Sequence, residues 1–139
     1  MFSELGKREP LWYSLVALAS LALHKQRHDE AADLLAESLA VCQEVGSKAG
    51  IGNCLEALAA LAVARKRTDD AARLLGCAQQ VHERIGLQLE PFEQAVHDET
   101  LLSTIDALGE EEFARERERG RRMPTNEAID WALDLSGAM

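Results

Sequence analysis

The chain has 139 residues, of which 47% are hydrophobic and 28% charged, and its formal net charge is −9. This size and balance predict one globular domain of a soluble protein. An acidic chain is a poor partner for nucleic acid or an anionic membrane surface, and no apolar run approaches the roughly 20 residues of a membrane span. Aromatic residues make up only 4%, while Ala and Leu dominate, which favours packed helices over a sheet.

The cysteines and the N-terminal residues indicate the cellular compartment of the protein. Cys42, Cys54 and Cys77 are an odd number, lack CxxC spacing and lie beside apolar residues in predicted helices. Such usage is typical of buried free thiols in a reducing cytoplasm, with a redox or metal role as the alternative. The opening MFSELGKREP lacks the apolar region of a secretory signal. We therefore expect a cytoplasmic protein.

One stretch of the chain recurs after 40 residues. Leu15–Gly46 and Leu55–Gly86 align without gaps and are identical at 14 of 32 positions. Each copy has the pattern of two helices joined by a short polar turn, and a fixed period in this range is typical of stacked helical repeats. Leu5-Gly6 precedes Val45-Gly46 by the same interval, so we expect residues 1–6 to be the remnant of a preceding repeat.

Apolar periodicity and helix-end residues predict about seven helices. Glycine after an apolar run is typical of a helix end, because it adopts the left-handed backbone at little cost. Ser47 can cap the third helix through its hydroxyl. In chain order, the predicted helices are Pro10–Leu23, Asp29–Val45, Ser47–Ala64, Asp69–Gly86, Pro91–Leu108, Glu110–Arg119 and Thr125–Leu135.

The last three helices, about residues 91–135, depart from the repeat and are predicted to cap it. Phe113 is the apolar anchor of the sixth helix, and the seventh forms an amphipathic lid at the C-terminal end, with Ile129 and Ala132 inward and Trp131 near the edge. The residues expected to point inward on the fifth helix are Phe92, Val96, Leu101, Leu102, Ile105 and Leu108.

The repeat resembles the tetratricopeptide (TPR) family. That family has small residues where two helices cross and large ones around them, and the period of 40 here is longer than its usual period of about 34. The resemblance implies an all-α, TPR-like solenoid of antiparallel helix pairs with C-terminal capping helices, a single domain covering residues 1–139. The residues that carry it are Leu18-Ala19, Ala31, Leu35 and Ser38 in one repeat, and Leu58-Ala59, Ala71, Leu75 and Ala78 in the next.

The chain is also similar to a narrower group, the helical segment near the C-terminus of bacterial NTPase-type and LuxR-type transcriptional regulators. The similarity lies in Cys54–Ala62, Ala71–Gly76, Leu108–Phe113, Gly120-Arg121 and Glu127–Ile129. Arg117 departs from it, since an aromatic residue is common there. The resemblance implies a sensor or protein-interaction arm, with ATP hydrolysis and DNA binding in other domains.

In TPR proteins the first helix of each pair lines a concave groove, which implies a binding site here. None of the corresponding residues is Lys or Arg, which disfavours a clamp for the terminal carboxylate of a partner. A mostly apolar groove with a few polar points remains, or these are surface and packing residues without a ligand. They are Tyr13, Val16, Ser20, Leu23 and His24 in the first repeat, and Asn53, Glu56, Ala60, Val63 and Ala64 in the second.

No residue pattern indicates catalysis. Gly50-Ile51-Gly52 lacks the third glycine of a dinucleotide fingerprint and is not followed by a Walker lysine. His24 and His28 are four residues apart, but they straddle a predicted helix end and no cysteine completes a metal site. No acid–base pair or triad is recognisable, and His82 and His97 form none. We expect no enzyme activity, no cofactor and no metal.

Two surfaces could bind a protein partner. From Ile85 to Ala114 there are eight acidic residues and no Lys or Arg, which suits a basic partner or is a solvated helix face. The first helix is apolar all round, and the ends of a solenoid need polar caps. We therefore expect Leu11, Trp12 and Leu15 to be covered by a second copy of the chain or by an upstream segment.

The function predicted from these features is protein interaction or sensing within a bacterial regulatory protein. The alternatives are a domain that binds a small inducer in its groove, or a homodimerising structural module.

Overall fold

A computed structural model describes residues 11–86 and 88–139, apart from the side chain of Phe92. These residues form seven α-helices, which confirms the predicted all-α fold. The expected remnant at residues 1–6 and the predicted first helical residue Pro10 lie outside the described residues. The helices are α1 (Leu11–His24), α2 (His28–Val45), α3 (Lys48–Ala64), α4 (Thr68–Ile85), α5 (Pro91–Leu108), α6 (Glu110–Arg121) and α7 (Thr125–Ala138). None of them is long and apolar enough to cross a bilayer.

The turns of the two repeats have the same backbone conformation. Gln26 and Lys66, 40 residues apart, both adopt the left-handed backbone, with φ of 62° and 64°. The next residue in each turn, Arg27 or Arg67, donates its N–H to the carbonyl five residues earlier, at 2.8 and 2.7 Å respectively. Turns this short place the two helices of each pair side by side and antiparallel. The sequence repeat is therefore also a repeat of structure.

The predicted helix ends have the expected chemistry. Gly46 and Gly86 follow α2 and α4 in the left-handed backbone, with φ of 74° and 68°. Ser47 precedes α3, and its hydroxyl accepts the N–H of Gly50 at 3.1 Å. These residues account for orphan N–H and C=O groups that every helix end leaves.

Small side chains allow the two helix pairs to stack. Ser38 of α2 donates its hydroxyl to the carbonyl of Trp12 (3.0 Å), and the same oxygen lies 3.1 Å from Sγ of Cys54. Gly50, in the first turn of α3, lets this helix approach the first pair closely, since a Cβ at this position would come within 2.8 Å of the Trp12 ring. The core that results continues through α4, where Leu74 is fully buried.

Two glycines bring α4 and α6 into backbone contact. A Cβ built on Gly76 would overlap the carbonyl oxygen of Arg117, and one built on Gly120 would overlap the carbonyl oxygen of Arg73. The relation is reciprocal, because each glycine faces the residue three positions before the other. Phe113, the predicted anchor of α6, is buried beside this crossing at 5% exposure.

Arg73 joins three helices near the same crossing. It donates to the carboxylate of Glu116 on α6 at 2.8 Å, and its guanidinium lies 5.2 Å from the ring centroid of Trp131 on α7. Arg119 also donates to Glu116, at 3.2 Å. Burial alone raises the pKa of Glu116, but the bonds and charges of Arg73 and Arg119 outweigh it and hold the pKa below its ordinary value. The carboxylate is therefore charged in its buried position at neutral pH.

α5 buries only part of the side that was predicted. Leu101, Ile105 and Leu108 are half-buried against the core, as expected, but Val96 and Leu102 are exposed and Thr100 and Thr104 are buried instead. Thr104 donates its hydroxyl to the carbonyl of Thr100 at 2.7 Å, which satisfies a polar group that would otherwise be costly to bury. The prediction failed for Val96 and Leu102 because apolar residues occur on several sides of α5, and its neighbours α3, α4 and α6 select the side.

The position predicted for α7 is also wrong in part. Ile129 and Ala132 are buried and Trp131 is half-buried, as expected. However, the helix is not confined to the C-terminal end of the array, because it packs against α2 and α3 as well as α4. Since α6 already covers α4 through the glycine crossing, the apolar face of α7 turns back towards the first pair.

Candidate functional site

The groove positions implied by the resemblance lie on corresponding sides of α1 and α3. Residues 13, 16 and 20 of α1 match residues 53, 56 and 60 of α3 after the shift of 40. None of these six residues is fully buried, although those on α3 are less exposed than Tyr13 and Ser20 on α1. Tyr13, Ser20, His24 and Ala64 are exposed, and Val16, Leu23, Asn53, Glu56, Ala60 and Val63 are half-buried.

Glu56 is not a free polar point of that groove. Nδ1 of His97, on α5, lies 2.9 and 3.0 Å from its two carboxylate oxygens. The hydrogen bond that the His97 ring donates to the Glu56 carboxylate raises the pKa of His97, against the opposing effect of burial, so an imidazolium–carboxylate pair is favoured. The expectation of an open groove at Glu56 is corrected here, because α5 packs against α3 at this point.

A cavity of about 480 Å³ lies beside this pair, between α3, α4, α5 and α6. Its walls combine leucines, amide side chains and a small number of charged groups. Arg117, the departure from the regulator pattern, reaches it from α6 with its guanidinium 5.4 Å from the Phe113 ring centroid. The lining residues are Glu56, Leu75, Gln79, His82, Glu83, Gln88, Leu89, Gln94, His97, Leu101 and Arg117.

His82 forms a buried part of the cavity wall. The residue is only 7% exposed, and its Nε2 has no hydrogen-bond partner among the described residues. Gly52 of α3 makes room for it, since a Cβ there would overlap the imidazole ring. Burial lowers the pKa of His82, although the charges of Glu56 and Glu93 oppose this, so the neutral ring is favoured. The repeat pattern does not predict this cluster, because no histidine corresponds to His82 in the first repeat and His97 lies beyond the repeats.

Among residues 11–86 and 88–139, none covers one side of α1. Leu11, Leu18 and Leu21, here called the α1 stripe, are 58%, 52% and 51% exposed. Leu15 was expected on this surface, but it is buried at 7% exposure, and Trp12 is half-buried against Gly50. The expectation for Leu15 was wrong because this residue lies on the buried side of α1, whereas for Trp12, which keeps part of its surface exposed, it stays a prediction.

The equivalent stripe on α3 is buried. Ile51, Leu58 and Leu61 correspond to the α1 stripe after the shift of 40, and their exposures are 5%, 0% and 0%. Cys54 lies within the same stripe and contacts Ser38 of α2. The side that α3 buries against the preceding helix pair is therefore the side that α1 leaves open.

The sequence profile of the tetratricopeptide repeat family matches residues 13–84, just over half of the chain. The chain belongs to the tetratricopeptide repeat family. Repeats of this family commonly mediate protein–protein interaction, and their fold is typically a non-catalytic scaffold. Neither a curated protein nor a solved structure matches the chain.

The match to the tetratricopeptide repeat family covers the two helix pairs but not the whole cavity. Glu56 and His82 belong to the matched part, whereas His97 and Arg117 come from α5 and α6, beyond it. The cavity is therefore a feature of the way this chain completes its repeats. It is not implied by family membership alone.

The three cysteines of this tetratricopeptide repeat chain are free and buried. Sγ of Cys42 and Sγ of Cys54 lie 3.9 Å apart and both residues are fully buried. Burial raises the pKa of Cys77 to about 12, so its thiol is not ionised at neutral pH and is a poor nucleophile. Within residues 11–86 and 88–139, no three His, Cys, Asp or Glu side chains are grouped so that they could hold a metal ion.

Proposed function

We propose that the chain is a non-catalytic protein-interaction and sensor module of a cytoplasmic bacterial regulatory protein. Membership of the tetratricopeptide repeat family supports an interaction role. The regulatory setting rests on the similarity of Cys54–Ala62, Ala71–Gly76 and Leu108–Phe113 to the helical segment of LuxR-type regulators.

The α1 stripe is the observation that carries the interaction role. Three leucines that are each about half exposed form one side of a helix, and their counterparts on α3 are buried by a helix pair. Burying an exposed leucine completely contributes about 1.5–3 kcal/mol, so covering the remaining half of three such side chains contributes about 3 kcal/mol. The partner that fits this side is therefore an amphipathic helix pair with an apolar face.

The groove on α1 and α3 adjoins the α1 stripe and supplies a second contact surface. Tyr13 is 43% exposed there, and aromatic side chains of this kind contribute strongly to binding. Ser20 and Asn53 add polar contacts on the same side. Since the groove positions include no Lys or Arg, a partner segment that binds by a terminal carboxylate is disfavoured.

Site-specific photo-cross-linking tests the interaction. Benzoylphenylalanine placed at Leu18 lies on the α1 stripe, and the same residue placed at Leu102, 66% exposed on α5, is the matched control. On irradiation in cells that produce the chain natively, we expect a discrete adduct at position 18 and none at position 102. Absence of an adduct at position 18, or equal adducts at both, would overturn the proposal.

A homodimer is the second candidate for the same surface. From Leu11 to Leu23 there is no charged residue, so two chains of net charge −9 can meet there without placing like charges in contact. Light scattering over a wide concentration range should then show a dimer that Leu18→Glu dissociates and Leu102→Glu does not. A mass that stays monomeric at every concentration would rule the dimer out.

A further inference from the structure

The cavity between α3, α4, α5 and α6 has the size and composition of a small-molecule site. Its volume of about 480 Å³ falls within the range of roughly 300–1,000 Å³ that is usual for such sites. Leu75 and Leu101 supply apolar wall, and amides such as Gln88 supply hydrogen-bonding groups. His82, only 7% exposed, adds a buried imidazole to the cavity wall, with its Nε2 packed against Gly52 of α3.

The charges around the cavity are unequally compensated. Glu56 pairs with His97 at 2.9 Å, and Glu83 pairs with Arg121 at 3.2 Å. Arg117 lines the same cavity, but it forms no ion pair with any described residue and is held only against the ring of Phe113. The guanidinium is therefore the one charge of the lining that finds no opposite charge in the part of the chain described.

We propose that this cavity binds a small monocarboxylate, with its carboxylate paired to Arg117 and its apolar part against Leu75 and Leu101. A guanidinium suits a carboxylate because it can donate two parallel hydrogen bonds. A second negative charge on the ligand would lie near Glu56 or Glu83 in a chain of net charge −9, which selects a monoanion. A cationic ligand would leave Arg117 unpaired and add repulsion.

A ligand in this cavity would contact both a helix of the repeat and a capping helix. The ligand would contact α6 through Arg117 and α4 through Leu75, while the Glu56–His97 pair ties α3 to α5 at the cavity edge. The ligand therefore stabilises the packing of α5 and α6 on the repeats. This site is distinct from the α1 stripe, so failure of either proposal leaves the other intact.

Imidazole resonances provide a direct test on the full chain. A panel of monocarboxylates, each with its primary amide as the neutral counterpart, is titrated against the ¹⁵N-labelled protein. We expect at least one acid to shift the ring resonances of His82 and His97, which line the cavity, and to leave those of His24 unchanged. The matching amide should bind at least tenfold more weakly, because it lacks the charge that pairs with Arg117.

Two arginine variants separate the site from general electrostatics. Arg117→Gln should weaken acid binding at least tenfold, whereas Arg115→Gln, an exposed neighbour on α6 paired to Glu112, should change it less than twofold. Circular dichroism confirms that both variants are folded. If Arg117→Gln does not fold, Arg117→Lys replaces it and should still weaken acid binding, because an ammonium cannot donate the two parallel hydrogen bonds of a guanidinium. The proposal is refuted if no acid shifts the two resonances, if amides bind as well as acids, or if removing the Arg117 guanidinium leaves binding unchanged.

Discussion

The glycine pair at the crossing of α4 and α6 allows a quantitative test of how tightly the capping helices pack. Gly76→Ala adds one methyl group at a point where the nearest atom is the carbonyl oxygen of Arg117. A backbone atom cannot move away by rotating a side chain, so the two helices must separate. The Arg73–Glu116 bond, which spans the same two helices at 2.8 Å, would be stretched with them.

The expected change in the free energy of unfolding combines one favourable and two unfavourable contributions. In an unhindered helix, replacing Gly by Ala stabilises by up to about 1 kcal/mol. Overpacking a close contact costs about 1–3 kcal/mol, and weakening a charge-assisted hydrogen bond costs about 1.5–3 kcal/mol. We therefore expect Gly76→Ala to lower the free energy of unfolding by about 1.5–5 kcal/mol.

Urea denaturation followed by circular dichroism measures this change, with Gly137→Ala as the control. Gly137 lies in α7 with no atom within 4 Å of a built Cβ, so its replacement should leave stability unchanged or raise it slightly. Gly120→Ala should resemble Gly76→Ala. The double variant should cost less than the sum of the two, because one separation of the helices accommodates both methyl groups.

The reasoning fails if Gly76→Ala is as stable as Gly137→Ala, or if the two substitutions at the crossing are additive. Either result would mean that α4 and α6 are far enough apart to accept a methyl group. The reciprocal contact of Gly76 and Gly120 would then not be what holds α6 on the repeat.

Three further predictions concern the repeat and its buried charges. Leu18→Ser should lower the free energy of unfolding by only about 1 kcal/mol, because half of this side chain is already exposed, whereas Leu58→Ser, at the matching buried position, should lower it by about 3 kcal/mol or more in urea denaturation. Similar losses would contradict the exposure of the α1 stripe. Because the pKa of His97 is raised in the fold, its stabilisation is complete below the unfolded pKa of about 6.5 and disappears as pH rises through the folded value. The stability difference between wild type and His97→Ala should therefore shrink from pH 6 to pH 9, and a growing difference would refute the ion pair with Glu56. Because the pKa of Glu116 is lowered in the fold, the stabilisation that its carboxylate provides is present above the unfolded pKa of about 4.3 and is lost as pH falls through the folded value. Glu116→Gln should therefore lower the free energy of unfolding by about 1–2 kcal/mol at pH 7 and by much less near pH 3. An equal loss at both pH values would contradict the lowered pKa.

The helices and the repeat were predictable because their determinants are local. Gly46, Gly86 and Ser47 act through their own backbone or through a residue three positions away. Such features depend on short stretches of sequence, so they can be found without knowing what packs against them.

The candidate site was not predictable in the same way. Glu56 was expected in an open groove, and its pairing with His97, 41 residues later, depends on where α5 lies. The crossing of α4 and α6 likewise depends on Gly76 and Gly120, which are 44 residues apart and outside the repeat relation. Neither pair has a local pattern, so only the assembled helices bring its members together.

The return of α7 to the first helix pair has a consequence for the order of folding. In a simple array each unit contacts only its neighbours, so early units can complete their packing while later ones are still being synthesised. Here α2 acquires a neighbour that begins about 80 residues after α2 ends. The first pair therefore completes its native surroundings only after α7 has left the ribosome, and until then the side of α2 that α7 covers is open to chaperones.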